Sequence, residues 1–313
     1  MSNVYGLNRD ASPNLELVKT ALDKIKDDQM MKEARVGKAT ALDPVVFTQA
    51  GADNAAVVTS VIGGGGYFEK SIDDASPAKN VAPSSPSPKT TLIAEFKKNL
   101  PITRTFMADQ QQNAVSRAVR QQVQSWAASR DQNAFAVYAN GFSTQQTIDN
   151  VVVFSNSHEN ENGDTVDNLE TGALADSTLN STIVSLRNQK NQVGVKVGYE
   201  PDFLLVPNVL HKDAMQITKS VLRSGTGNND LNYYSELYPG MIVKYNQFLD
   251  DTSSTAYFVG SAGHGIMRFE REAFFTDLVD WKTDDNDHYK YKMRAREEVD
   301  SIEYSGLVGS TGA

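Results

Sequence analysis

The chain has 313 residues, 40% of them hydrophobic and 22% charged, with a formal charge of −9 and no cysteine. That length supplies ample core for one large domain or two ordinary ones. The missing thiols exclude disulfides, thiolate metal sites and cysteine nucleophiles, and the acidic balance argues against broad coating of nucleic acid, which needs cations to neutralise phosphates.

The N-terminal stretch MSNVYGLNRDASPNLEL has no basic segment followed by an apolar run. No stretch reaches the ~20 apolar residues that span a bilayer, so a soluble protein made in a cytosol is expected. Ser12 and Pro13 make a cap and first turn, and Leu15, Val18, Leu22 and Ile25 repeat at helical spacing. This segment has little core of its own. Its helix is expected to pack on something beyond it, another subunit being one option.

Residues 55–70, AAVVTSVIGGGGYFEK, are β-rich and then run into four glycines, and residues 76–89 hold four of the ten prolines. TLIAEFKKNL then alternates as a half-buried strand does, with Leu92, Ala94 and Phe96 on one face. Two β arms joined by a long Gly/Pro/Ser-rich connection read as a protruding hairpin.

A long helix follows. Asp109 with Gln112 makes a weak capping box and Gly141 stands where the helix would stop. Val115, Val119, Val123, Trp126, Ala134 and Val137 keep an apolar stripe between them, over roughly 45 Å of helix. Beyond it come a helix at 179–191, a buried strand at 202–208, a helix at 209–222 and strands in MIVKYNQFL and TAYFVGSA. The C-terminal part reads as a β pair around an acidic turn. The pattern is α+β, too irregular for a doubly wound sheet, and without internal repeats.

Two acidic loops invite a metal. SNSHENENGD (155–164) gathers His158, Glu159, Glu161 and Asp164. Aligning Gly163 with the glycine of a calcium-binding loop puts His158 and Leu169 where an aspartate and a bidentate glutamate are required. The other histidines lie at least fifty residues away in sequence, so zinc lacks ligands. TDDNDH (283–288) has the same problem, and both are expected to be turns. GGGG is not followed by Lys and Ser/Thr, GTGNND (225–230) lacks a third glycine, and no GxSxG occurs. Walker-loop, dinucleotide and serine-elbow readings therefore have no support. No catalytic residue, cofactor or metal is expected. The competing class is a metal-dependent enzyme or binding protein using loops 155–168 and 283–288.

One pattern stands out. In HYKYKMRARE, Tyr289, Tyr291, Met293 and Ala295 alternate with Lys290, Lys292, Arg294 and Arg296. As a strand this lines about 20 Å of one face with four cations. Such a run repels itself unless acids answer it, so these cations, with Lys97, Lys98 and Arg104 of FKKNLPITR, are candidates for inter-subunit contacts.

The order of arm, hairpin, long helix, α/β region and returning ribbon resembles the major capsid proteins of tailed bacteriophages with the Hong Kong 97-type fold. The local sequence is most similar to the Mu-like major head subunit family. FSNSHENENGDTVDNL and TGALADSTLNSTIVSLRNQK (154–190), PDFLLVPNVLHKDA (201–214), GTGNND (225–230) and the FERE and TDDNDHYKYKMRARE blocks (269–297) carry it. Residues before 100 match by layout only.

The resemblance implies an N-terminal arm (1–54), an extended β-hairpin loop (55–105), a peripheral domain with spine helix (106–174), an axial domain (175–262) and a peripheral ribbon with the C-terminus (263–313). It implies a non-enzymatic subunit that self-assembles into hexamers and pentamers of an icosahedral head enclosing double-stranded DNA, in a virion built in the host bacterial cytoplasm. Partners implied are the same chain, a portal, a scaffold or protease, and a decoration protein. Some members carry a cleaved N-terminal scaffolding segment; no long charged coiled coil stands here, so the scaffold is separate, already removed or absent. Others cross-link through lysine and asparagine, and no such pair is expected here.

Overall fold

The computed structural model describes residues 15–35, 45–50, 52, 54–60, 67, 88–103, 105–106, 112–222, 230–280 and 288–313. The Ser12-Pro13 cap, the four glycines, the proline-rich stretch before Pro88, Asp109, Arg104, most of GTGNND and the acidic turn before His288 lie outside these residues.

Helix α1 (Leu15–Arg35) forms where the apolar spacing places it. Val18, Leu22 and Ile25 are buried, and they pack within the chain, against Val115 and Val119 of the long helix and Tyr289, Tyr291 and Met293 of the ribbon. The other-subunit option for this face is therefore corrected: the spine helix and ribbon of the same chain cover it. Asp23 pins the contact, its Oδ1 accepting from the Tyr291 hydroxyl (2.6 Å) and the Thr276 hydroxyl (2.7 Å).

Strand β1 (Phe47–Ala50) is followed by β2 (Ala56–Thr59) and β3 (Lys89–Leu92), which pair antiparallel as the base of a hairpin. Strand β4 (Ala94–Thr103) follows after a break at Ile93. The break shifts the pleat by one residue. Thr91 and Ile93 face inward before it, Ala94 and Phe96 after it, so Leu92, expected on the covered face, is 72% exposed.

The spine, α2 (Gln112–Ala139), runs 28 residues without proline or glycine, about 42 Å at the standard rise. Val115, Val119, Val123, Ala134 and Val137 are buried along one stripe. Gly141 stands past the end for a packing reason: a Cβ there would lie 2.7 Å from the Phe154 ring.

The chain then passes through β5 (His158–Glu159), β6 (Thr165–Val166) and β7 (Leu169–Glu170) into α3 (Asp176–Asn188), whose Leu179, Ile183 and Leu186 face inward. Strand β8 (Phe203–Pro207), buried at every position, leads through a short turn into α4 (His211–Lys219). A one-turn helix (Tyr233–Leu237) precedes β9 (Ile242–Asn246) and then β10 (Tyr257–Gly260). The long strands β11 (Ile266–Val279) and β12 (His288–Ser301) are followed by β13 (Leu307–Ser310).

These strands make two main sheets. A four-stranded ribbon has the order β1-β11-β12-β4, antiparallel except for the β1–β11 pair. A five-stranded mixed sheet has the order β7-β13-β10-β8-β9. The C-terminal segment is thus divided between them, since its last strand leaves the ribbon and sits beside β10. The end of the spine helix joins the two sheets through an aromatic cluster in which Phe154 lies 5.1 Å from both Phe142 and Phe258, with Tyr138 5.2 Å from Phe258. The Tyr138 hydroxyl donates to the Val45 carbonyl at 2.6 Å, and burial pushes its phenol up.

Candidate assembly surfaces

The loop 155–164 is mostly exposed, with Ser155, His158 and Asn160 buried. His158 is fully buried, its Nδ1 2.6 Å from an Asp149 oxygen and its Nε2 3.2 Å from the Val153 carbonyl, with the ring stacked on Tyr304 at 4.4 Å. Neither ring nitrogen faces an open position. Burial pushes the Asp149 carboxyl up, but hydrogen bonds with His158 and Thr147 outweigh it and hold it below the usual range. Asn160 closes the turn by accepting from the Asn162 and Asp164 amides, Gly163 takes the left-handed conformation at φ 79°, and Asp164 is held low by the Lys190 ammonium 2.8 Å away. Among the described residues no three His, Asp or Glu side chains converge as a metal would need.

The basic strand has the alternation its sequence dictates: Tyr289, Tyr291, Met293 and Ala295 are buried, Lys292 and Arg294 exposed, Lys290 and Arg296 between. Its charge is not an unanswered run, however. Arg294 grips Glu272 through Nε (2.9 Å) and Nη2 (2.7 Å) and approaches Glu95 at 3.4 Å, while Arg296 lies 3.6 Å from Glu272. The carboxylates come from the strands on either side, β11 and β4, so the ribbon itself supplies the acids. The hydrogen bond from Arg294 holds the Glu272 carboxyl below its usual range. Lys97 lies 3.4 Å from Glu95, and Lys98 3.5 Å from the Ser125 hydroxyl; both are exposed. They edge a small groove floored by Trp126, which stacks on Phe274 at 5.2 Å and meets Phe96 edge-on at 5.5 Å. Arg104 lies outside the described residues.

A third surface escaped the sequence reading. Val209, Val221, Leu222, Leu231, Leu237 and Ile242 are all exposed, Val221 at 74%, in the turn before α4, the segment after it, the Tyr233–Leu237 helix and the start of β9. Helix α4 packs on both the Tyr233–Leu237 helix and β9, so these elements surround the β9 edge of the five-stranded sheet. Strand β9 is an edge strand that pairs, among the described residues, with β8 alone. Exposed large apolar residues beside a free strand edge mark a surface that another chain covers. The signal lay in the sequence as apolar residues at turn positions, where periodicity gives no face to assign.

A family model described as phage capsid protein matches residues 88–308. The chain belongs to the phage capsid protein family. Among curated proteins nothing matches. The fold of this capsid protein is shared with a structure of the capsid of a native GTA particle, at TM-score 0.55 and 12% identity, over 88% of this chain and 91% of that one. A structure from Microbacterium phage Oxtober96 gives 0.53 and 11%, over 88% and 91%. A virus-like particle from Pyrococcus furiosus gives 0.52 and 9%, over 93% and 98%. At these identities the likeness concerns fold, and it is that of Hong Kong 97-type capsid subunits, the α+β class expected. The protein is a phage major capsid protein and a virion component.

Proposed function

We propose that copies of this capsid protein associate through the apolar end of the five-stranded sheet into hexamers and pentamers, and that these close an icosahedral head around the double-stranded DNA of a tailed phage. The exposed apolar side chains between Val209 and Ile242, beside the free edge of β9, carry this reading. Residues 175–262 act as the axial domain around each capsomer axis. Residues 106–174 and the ribbon of 263–313 act as the peripheral domain, and the arm (1–54) and hairpin loop (55–105) reach neighbours.

The exposed Lys97, Lys98 and Lys292 meet carboxylates of neighbouring copies, and Arg104, Lys290, Arg294 and Arg296 are candidates for the same role. An acidic chain holds DNA by confinement rather than by neutralising it. The role is structural rather than catalytic. Assembly takes place in the host cytoplasm, with a portal, a scaffold or protease, and a decoration protein as partners.

Negative-stain electron microscopy of the protein expressed alone, beside a size-exclusion trace, tests the reading. Shells, capsomers or angular sheets are expected. A monomer stabilised by added calcium overturns it.

A further inference from the structure

The β2–β3 hairpin carries residues 60–88 between its strands and shares no ladder with the four-stranded ribbon. A two-stranded hairpin is marginal alone, so what orients it is its attachment to the body. Tyr67, beyond the two strands, adds one contact among the described residues, its hydroxyl accepting from the Lys196 amide at 2.9 Å. The strands themselves are held at two points. Ile93 is one, buried against Phe269 and Ile302, with its amide donating to the Ala55 carbonyl at 2.9 Å.

Lys89 is the other, about 13 Å away along the strand. Its ammonium donates three ways: to Asp300 Oδ1 (2.5 Å), to the Gln146 carbonyl (2.6 Å) and to the Ser301 carbonyl (2.8 Å). Three donors meet three acceptors. Asp300 is as fully used. Its Oδ1 also accepts from the Gln145 side-chain amide (2.6 Å) and the Ser301 amide (2.8 Å), and its Oδ2 accepts from the Thr91 hydroxyl (2.5 Å). The junction therefore joins the return strand of the hairpin, the turn after the spine helix and the end of the long ribbon strand.

Both charged side chains are largely covered, at 18% and 11% exposure. Covering an ion pair costs desolvation that a well-packed apolar pair avoids, so stability alone gives little reason for one here. Directional bonds do. The apolar contact at Ile93 and the single Tyr67 bond leave the base of the hairpin room to rotate, while an anchor with several fixed bond directions removes it.

We propose that the Lys89–Asp300 junction is a positioning device: it sets the direction of the β2–β3 hairpin on the body, and through that direction it selects the geometry of the shell. The second half rests on the assembly reading above. The first half does not.

The chain has no cysteine, so spin labels at Val58→Cys and Ser181→Cys report the distance from hairpin to body without background. The expected result for dissociated subunits is one narrow distance distribution in the otherwise wild-type chain and a broadened or shifted one in Lys89→Met. Thr91→Val, which removes one donor to Asp300 and leaves the ion pair, gives a smaller shift and serves if Lys89→Met does not fold. Unchanged distributions in the folded variants overturn the proposal.

Unlabelled Lys89→Met is then assembled beside wild type. Aberrant or absent shells, with a circular dichroism spectrum like that of wild type, are expected. Wild-type shells from a chain whose hairpin has lost its fixed direction overturn the second half alone. A wild type that forms no particles overturns the assembly reading, and the second half with it, while the distance result still decides the first.

Discussion

Glu297 is the residue whose environment fits its charge least well. It is buried on β12, and its Oε1 has no hydrogen-bond partner. Burial pushes its carboxyl up; Arg268 and Arg130 pull the other way, and the neighbouring Glu270 and Glu298 add to the rise. Burial also raises Glu298, against a hydrogen bond from Asn133, and raises Glu303.

A carboxyl raised in the folded state holds a proton that the unfolded chain has already released. Folding stability then falls as pH rises from the ordinary carboxylate range, about 4.3, through the raised value, and it is recovered as pH falls back. Below that range the lowered groups dominate, because Asp149 and Glu272 lose their contributions on protonation. The melting temperature of the subunit is therefore expected to rise from neutral to mildly acid pH before it collapses. Glu297→Gln with Glu298→Gln flattens that rise, leaving Arg268 its ion pair with Glu270 at 3.0 Å. Melting curves across pH check this, and a double variant with the wild-type slope refutes it.

Elements in this chain were legible where packing imposes a period. Val18, Leu22 and Ile25, the stripe of the spine helix and the alternation of the basic strand all take the faces their spacing dictates. What such spacing cannot carry is the partner of each face. The arm helix docks on its own spine, and the basic strand is answered by Glu95 and Glu272, residues far from it along the chain. Leu92 was misplaced because a one-residue shift at Ile93 moves every later side chain to the other face.

The arm helix can be tested as an element. Leu22→Ala removes a buried side chain between α1 and α2, at a cost of about 2–4 kcal/mol. Among the described residues α1 meets the ribbon and the spine, through its apolar stripe, Asp23 and the Lys19–Asp277 pair, and not the five-stranded sheet. The loss is therefore expected to be local: faster amide exchange in α1, with protection kept in that sheet. Uniform loss of protection would instead make the helix part of one cooperative unit with the sheets.

At the scale of the whole molecule, two apolar surfaces obey different rules. The cores under the sheets are closed by the chain itself, while the exposed apolar residues between Val209 and Ile242 are left open by the described elements around them. A substitution there meets water in the free subunit and, on the proposed assembly, another copy in a shell. Leu237→Glu is expected to change subunit stability by less than about 0.5 kcal/mol, as surface changes usually do.

In a ring, though, the substitution recurs at every contact, because each copy presents the same patch to its neighbour. A carboxylate placed in that contact must be stripped of water with no cation assigned to it, and the chain already carries a charge of −9. Loss of particles is therefore expected, with an unchanged melting curve. Sedimentation velocity beside electron microscopy separates the outcomes: a stable, monodisperse subunit locates the capsomer contact at this end of the sheet. Shells formed at the wild-type concentration would move it elsewhere, and the free edge of β9 would then need another explanation.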